Sequence, residues 1–226
     1  DFDACKDLGI HISNTPDMFG NEVADIGIGY LIALARETFY IDRMIRQGSW
    51  PKKRGISLLG KTVGLVGYGN IGQQTAVRLL ALGMKVNVYD PAKINIELPS
   101  LSLYKWPENL YNCDFILFTC SLNEQNRHML NEVTLDMCKK GVRIINVSRG
   151  GLIDENALNV AIHAKRVHSA ALDVFEVEPL CLSSNLREHP LCILGSHNAS
   201  NTSEAVERTN IMAIEKLMTF LGVEKN

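Results

Sequence analysis

The sequence predicts an α/β fold: a doubly wound parallel sheet covered by helices on both faces. Three observations predict it. From residue 62 onward, short apolar runs alternate with segments whose apolar residues recur at helical spacing. The runs do not alternate in polarity, which fits strands buried on both faces. The first run leads through three closely spaced glycines straight into a helical pattern.

Thr62–Val66 (TVGLV) is β-branched and apolar, and is the first expected strand. Asn70–Leu82 reads as a helix through Ile71, Thr75, Ala76, Leu79 and Leu80, and Gly83 stops it. Lys85–Tyr89 (KVNVY), Phe115–Thr119 (FILFT) and Val142–Val147 (VRIINV) are further strands. Glu132–Cys138 is a short helix, and Asp154 is placed to cap a helix through Ala164. Ser169–Leu172 and Leu191–Leu194 complete the strands. Residues 91–110 resist assignment because Pro91, Pro99 and Pro107 interrupt any period.

Two long helices flank this core. Asn21 is placed to cap the first, which runs through Gln47 with Gly48 behind it. Asn201 and Glu204 have capping-box spacing for the second. Its apolar residues are Ile211, Ile214, Leu217, Met218 and Leu221, and Gly222 is its stop. The first flanking helix is apolar on more than one face, at Ile26, Ile28, Tyr30, Leu31, Ile32 and Leu34. A helix apolar all round should be covered. That predicts packing against a further domain, a partner subunit or both.

Composition narrows the class. At 226 residues, with 46% apolar and 21% charged residues, the chain is one large globular domain or two small ones. A net charge of −2 without any basic run argues against nucleic acid as the main partner. The longest apolar run, Ile26 to Ala35, is too short to span a bilayer. The cysteines form no C-x-x-C pair and no zinc-spaced cluster with histidine, so no metal is expected. They read as free thiols in a reducing cytoplasm, with Cys113, Cys120 and Cys192 in or beside apolar runs. The chain opens at Asp1 without Met, basic n-region or apolar h-region, which is not an intact secretory start.

Gly67-Tyr68-Gly69-Asn70-Ile71-Gly72 is G-x-G-x-x-G between a strand and a helix. In that context the pattern marks a Rossmann-type dinucleotide site. Gly67 permits the tight turn, Gly69 lets the backbone approach a pyrophosphate, and Gly72 lets helix pack on strand. Unpaired N–H groups at the helix start then face the anion. Asp90 ends the second strand, where a carboxylate accepts from the adenosine ribose hydroxyls and repels a 2′-phosphate. The expected cofactor is therefore NAD.

Ligands of open α/β sheets sit beyond the carboxyl ends of the strands. Three such ends carry polar residues: Ser148-Arg149-Gly150-Gly151, Asp173 with Glu178 in the following loop, and Gly195-Ser196-His197. Arg149 supplies a fork for a substrate carboxylate. His197 supplies a proton near neutral pH, and Glu178 fixes its ring and raises its basicity. That set suits hydride transfer to a small 2-oxo acid. Singly, each residue has an ordinary reading as a surface pair, a solvated acidic loop beside Glu176, or a structural histidine; their joint placement favours chemistry.

With these motifs assembled, the chain resembles the D-isomer-specific 2-hydroxyacid dehydrogenases, in their 3-phosphoglycerate dehydrogenase-like branch. The resemblance runs from about Ala4 to Gly222. It is carried by GKTVGLVGYGNIG (60–72), VYDP (88–91), NVSRGGLIDENAL (146–158), ALDVFEVEP (171–179) and SHNAS (196–200). It implies Arg149, Glu178 and His197 as the catalytic set, Asn70 and Ile71 at the pyrophosphate, and Asp90 on the ribose. It places Val147 and Ser148 by the nicotinamide ribose and Asp173 on the carboxamide. His197 through Ala199 and Ser200 would close over the nicotinamide. Three positions depart from the family pattern: Ser121 for a proline, Asp25 for a glutamate, and Asn198 for an apolar residue.

The resemblance also implies the organisation. Residues 1–20 would end a substrate domain whose preceding part is missing. Residues 21–200 would be the dinucleotide-binding domain with the first crossover helix, and 201–226 the crossover helix back. A homodimer through the cofactor domain is expected. Two other readings compete. One is an NAD(H)-sensing module like the corepressors that resemble this family. The other is formate or phosphite oxidation; formate dehydrogenases carry Gln where Glu178 stands, which counts against formate.

Overall fold

The computed structural model describes residues 1–93, 95 and 99–222. Its strands are β1 (Thr62–Val66), β2 (Lys85–Tyr89), β3 (Leu101–Leu103), β4 (Phe115–Phe118), β5 (Val142–Asn146), β6 (Val167–Leu172) and β7 (Cys192–Leu194). All pair in parallel, in the order β3-β2-β1-β4-β5-β6-β7. The order reverses between β1 and β4, so a crevice opens beyond their carboxyl ends, where the chain leaves the sheet in opposite directions.

Side chains alternate between two cores, one on each face. Val63, Leu65, Phe115, Leu117 and Ile145 point to one. Ile116, Phe118, Val142 and Ile144 point to the other. The first core is covered by α2 (Gly20–Arg36) and α4 (Asn70–Ala81), the second by α5 (Glu132–Met137) and α6 (Glu155–His163). As expected, Asp154 caps α6, accepting from the Ala157 N–H at 3.0 Å.

Two expectations for the first flanking helix need correction. The first flanking helix is not continuous: it breaks at Glu37, in left-handed conformation (φ 54°), into α2 and α3 (Thr38–Arg46). The break follows from competition for the last carbonyls of α2. Arg143 Nε donates to the Leu34 carbonyl at 3.3 Å, and the Ile56 N–H to that of Ala35 at 2.9 Å. These partners are distant in sequence, so local periodicity could not show them. Phe19, not Asn21, is the N-cap, and Asn21 accepts from Arg78 instead. Ile26 and Ile32 of α2 are 37% and 38% exposed, so this chain alone does not cover the helix all round.

The last helix, α7 (Ser203–Leu221), is capped by Thr202, which accepts from the Ala205 N–H at 3.1 Å. Asn201 donates to Asn198 Oδ1 instead, closing the preceding turn. Gly222 ends α7 in left-handed conformation, as expected. Residues 223–226 of the expected 201–226 segment lie outside the described residues. Arg208 ties α7 to Glu22 and to the Met18 carbonyl, Lys216 ties it to the Asn14 carbonyl, and His11 stacks on Phe220. The two flanking elements are thus fixed to each other. Helix α1 (Phe2–Asp7) and strand β3 were not anticipated. No described helix is long and apolar enough to cross a membrane.

Candidate active site

The glycine turn between β1 and α4 is shaped by contacts that exclude side chains. Gly67 sits at φ 97°, and a Cβ there would fall 2.6 Å from the Cys120 nitrogen. A Cβ on Gly72 would fall 2.2 Å from the Gly67 carbonyl oxygen. Gly69 is different: its Cβ would meet nothing within 4 Å, because the turn faces open space there. The first helical bond runs from the Gln73 N–H to the Gly69 carbonyl. The N–H groups of Asn70, Ile71 and Gly72 therefore have no partner within the helix and converge on that space. Thr119 at the end of β4 donates to the Gly67 carbonyl at 2.9 Å and holds the turn from the other side.

Asp90 lies at the rim. Its carboxylate accepts from the Tyr68 N–H at 2.7 Å and the Ala92 N–H at 2.9 Å. It thus bolts the glycine turn to the end of β2 and keeps lone pairs toward the crevice. A cleft of about 990 Å³ opens beside it, lined by Gly67, Gly69, Asp90, Trp106 and Cys120 among others. An open glycine, a free helix N-terminus and a rim carboxylate are the donor and acceptor set that a dinucleotide needs. Cys120 and Ser121 both line this cleft, and burial pushes the Cys120 thiol up to about 11.

The three strand ends do converge. His197 Nδ1 lies 2.8 Å from Glu178 Oε2. The other Glu178 oxygen accepts from the Phe175 N–H at 3.0 Å. Burial opposes ionisation of Glu178, but the bonds from His197 and Phe175 and the charges of His197 and Arg149 outweigh it, so the carboxyl sits below its usual range. With Nδ1 on Glu178, the ring turns Nε2 outward. Arg149 is exposed and folds Nη1 onto the Ser148 carbonyl.

His197 occupies the left-handed region (φ 57°), which a non-glycine residue adopts only when its surroundings impose it. Asp173 imposes it. The Asp173 carbonyl accepts from the His197 N–H at 2.7 Å, and its Oδ2 from the Ala199 N–H at 2.9 Å. Asp173 and Ala199 are buried, and Ser200 is half-buried. Val147 is also buried and packs into the α2-side core, so only its backbone faces the crevice. Ser148 is buried, with its hydroxyl on Asn146.

Sequence reasoning passed over the residues that hold these loops. Asn146, 1% exposed, ends β5. Its Oδ1 accepts from the Ser148 N–H and hydroxyl, and its Nδ2 donates to the Arg149 carbonyl at 2.9 Å. Asn146→Leu leaves those groups unpaired in the interior. The expected loss is about 2–3 kcal/mol in urea unfolding. Glu155 and Glu176 bond reciprocally, each carboxylate accepting the other's N–H at 2.6 and 3.0 Å. Glu176 also meets His128 at 2.7 Å. A Cβ on Gly150 would fall 1.9 Å from the Phe175 carbonyl carbon, so the Arg149 and Glu178 loops touch backbone to backbone. Glu176 is therefore a strut, not part of a solvated acidic loop. The paired glutamates lie inside the two contacting motifs, Glu155 in NVSRGGLIDENAL and Glu176 in ALDVFEVEP.

The Glu178 shift has a measurable sign. A carboxyl held below its usual 4.5 in the folded protein stabilises it above that value and loses the contribution as pH falls through the folded pKa. Glu178→Gln should therefore be less stable than the native chain near neutrality. The gap should close as pH falls below the ordinary 4.5 and through the lowered folded value, read in urea unfolding.

Comparisons with known proteins place this geometry. Residues 28–199 match the model of the D-isomer specific 2-hydroxyacid dehydrogenase NAD binding domain. A hydroxypyruvate reductase of Thermotoga maritima is 39% identical over 99% of this chain and 74% of its own length. A D-3-phosphoglycerate dehydrogenase of Methanocaldococcus jannaschii is 34% identical over 99% of this chain, which spans only 44% of that protein. The crystal structure of a glyoxylate reductase from Paecilomyes thermophila superposes with a TM-score of 0.89 at 33% identity, covering 97% of this chain and 67% of that one. Strand order, glycine turn and family match agree: the chain belongs to the D-isomer specific 2-hydroxyacid dehydrogenases and carries their NAD-binding domain.

Proposed function

We propose that the protein interconverts a D-2-hydroxy acid and its 2-oxo acid with NAD, in the manner of a 3-phosphoglycerate dehydrogenase or hydroxypyruvate reductase. The observation that carries this is the His197–Glu178 pair at 2.8 Å, with the charge of Arg149 acting on the same carboxylate, at the carboxyl edge of the parallel sheet that also carries the glycine turn. The bound nicotinamide supplies or receives the hydride. Arg149 takes the substrate carboxylate in its guanidinium fork. His197 Nε2 gives a proton to the carbonyl oxygen in reduction and takes it back in oxidation. Glu178 fixes the tautomer and stabilises the imidazolium.

On the cofactor side, the N–H groups of Asn70 and Ile71 hold the pyrophosphate and Asp90 the adenosine ribose. The backbone at Val147 and Ser148 borders the nicotinamide ribose, Asp173 receives the carboxamide, and Ala199 and Ser200 close over the ring. Asp90→Ala should weaken NADH binding about ten-fold and narrow the preference over NADPH, read by fluorescence titration with both cofactors. An unchanged preference would contradict the ribose role.

Residues 21–200 serve as the cofactor domain, and the 1–20 and 201–226 segments lead to a substrate domain. The protein acts in the cytoplasm as a homodimer, consistent with the exposed Ile26 and Ile32 on α2. Initial rates of NADH oxidation by the full-length protein with hydroxypyruvate, glyoxylate and other 2-oxo acids test the reading. Turnover with one of them supports it. Tight NADH binding without turnover across the panel would favour a cofactor-sensing module instead.

A further inference from the structure

Tyr30 lies on α2, which packs on β5 and β6, and reaches Asp173 just past the carboxyl end of β6. Its hydroxyl is 3.4 Å from Asp173 Oδ1. Gly195, after β7, makes room for both: a Cβ there would fall 2.0 Å from Asp173 Oδ1 and 2.6 Å from the Tyr30 hydroxyl. Asp173 is 2% exposed, and its other oxygen is taken by the Ala199 N–H. A buried carboxylate needs a donor on each oxygen to keep one orientation. For Oδ1 that donor comes from the crossover helix. Burial first, then the Asp173 charge, push the Tyr30 hydroxyl up to about 12, so it stays protonated and donates throughout the working pH range.

We propose that Tyr30 is a further positioning residue of the cofactor site: its hydroxyl holds Asp173 Oδ1 in the orientation that receives the nicotinamide carboxamide. This rests on the reading of Asp173 as the carboxamide acceptor. It also links α2 to the catalytic turn, because the Asp173 carbonyl carries the His197 N–H.

The test compares NAD with acetylpyridine adenine dinucleotide, which has a methyl ketone in place of the carboxamide and cannot donate to Asp173. Dissociation constants of both are measured on the full-length native protein and on Tyr30→Phe and Asp173→Asn. Tyr30→Phe keeps the ring, so packing is preserved. It should weaken NAD about five-fold and leave the analogue unchanged. Asp173→Asn should also weaken NAD selectively. Equal weakening of both cofactors by Tyr30→Phe would mean a merely structural role and overturn the proposal. Selective loss in Asp173→Asn with no change in Tyr30→Phe would overturn it while leaving the carboxamide reading intact. If Asp173→Asn does not discriminate either, the carboxamide reading itself falls, and the role of Tyr30 with it.

Discussion

His197→Ala in the full-length protein is expected to lower kcat for 2-oxo acid reduction about a thousand-fold, the usual share of a positioned general acid. NADH affinity should change by less than about three-fold, because a group that acts in proton transfer contributes little to ground-state binding. The structure explains the separation. The imidazole is held by Glu178 through Nδ1, while the backbone of the same residue is held by Asp173. Removing the ring leaves the Asp173 grip on residues 197 and 199 in place. Near-native turnover in His197→Ala, measured as steady-state NADH consumption, would remove the acid from the mechanism.

The second large effect is expected at Arg149. Arg149→Lys keeps the charge but removes the planar fork, so one of two parallel bonds to a substrate carboxylate is lost. The KM for the oxo acid should rise about a hundred-fold, with NADH affinity near native. The loop itself should survive, because Asn146 holds it through the backbone at Ser148 and Arg149, and Gly150 seats it on Phe175. A KM within about two-fold of native would mean that another cation binds the carboxylate.

Much of this was legible in the sequence. The β1–α4 glycine turn was readable because its three glycines are closely spaced between a strand and a helix, with Gly72 packed against Gly67 and Gly69 facing open space. The meeting of His197 with Glu178 was readable because strand ends are marked by abrupt polarity changes, as at Asp173 and His197. What failed was set by side-chain partners that periodicity does not show, most of them distant in sequence. The α2–α3 break depends on Arg143 and Ile56 taking carbonyls that a continuous helix would have used. The cap of α7 passed from Asn201 to Thr202 because Asn198, three residues upstream, holds the Asn201 side chain. Asn146, Glu155, Glu176 and Tyr30 act through other residues, and their side chains carry no local pattern that distinguishes a strut from a surface group. The strand between Pro99 and Pro107 was hidden because it is only Leu101–Leu103 and gains its pairing from β2.

The most direct test of the account is the hand of the product. Full-length protein is incubated with NADH and a 2-oxo acid that it turns over and whose product has a stereocentre, such as hydroxypyruvate, and the hydroxy acid is resolved by chiral chromatography. The account predicts the D-2-hydroxy acid, formed in equal amount to the NADH consumed, because Arg149 and His197 fix the face of the carbonyl that meets the nicotinamide. An L-product or a racemic mixture would contradict it.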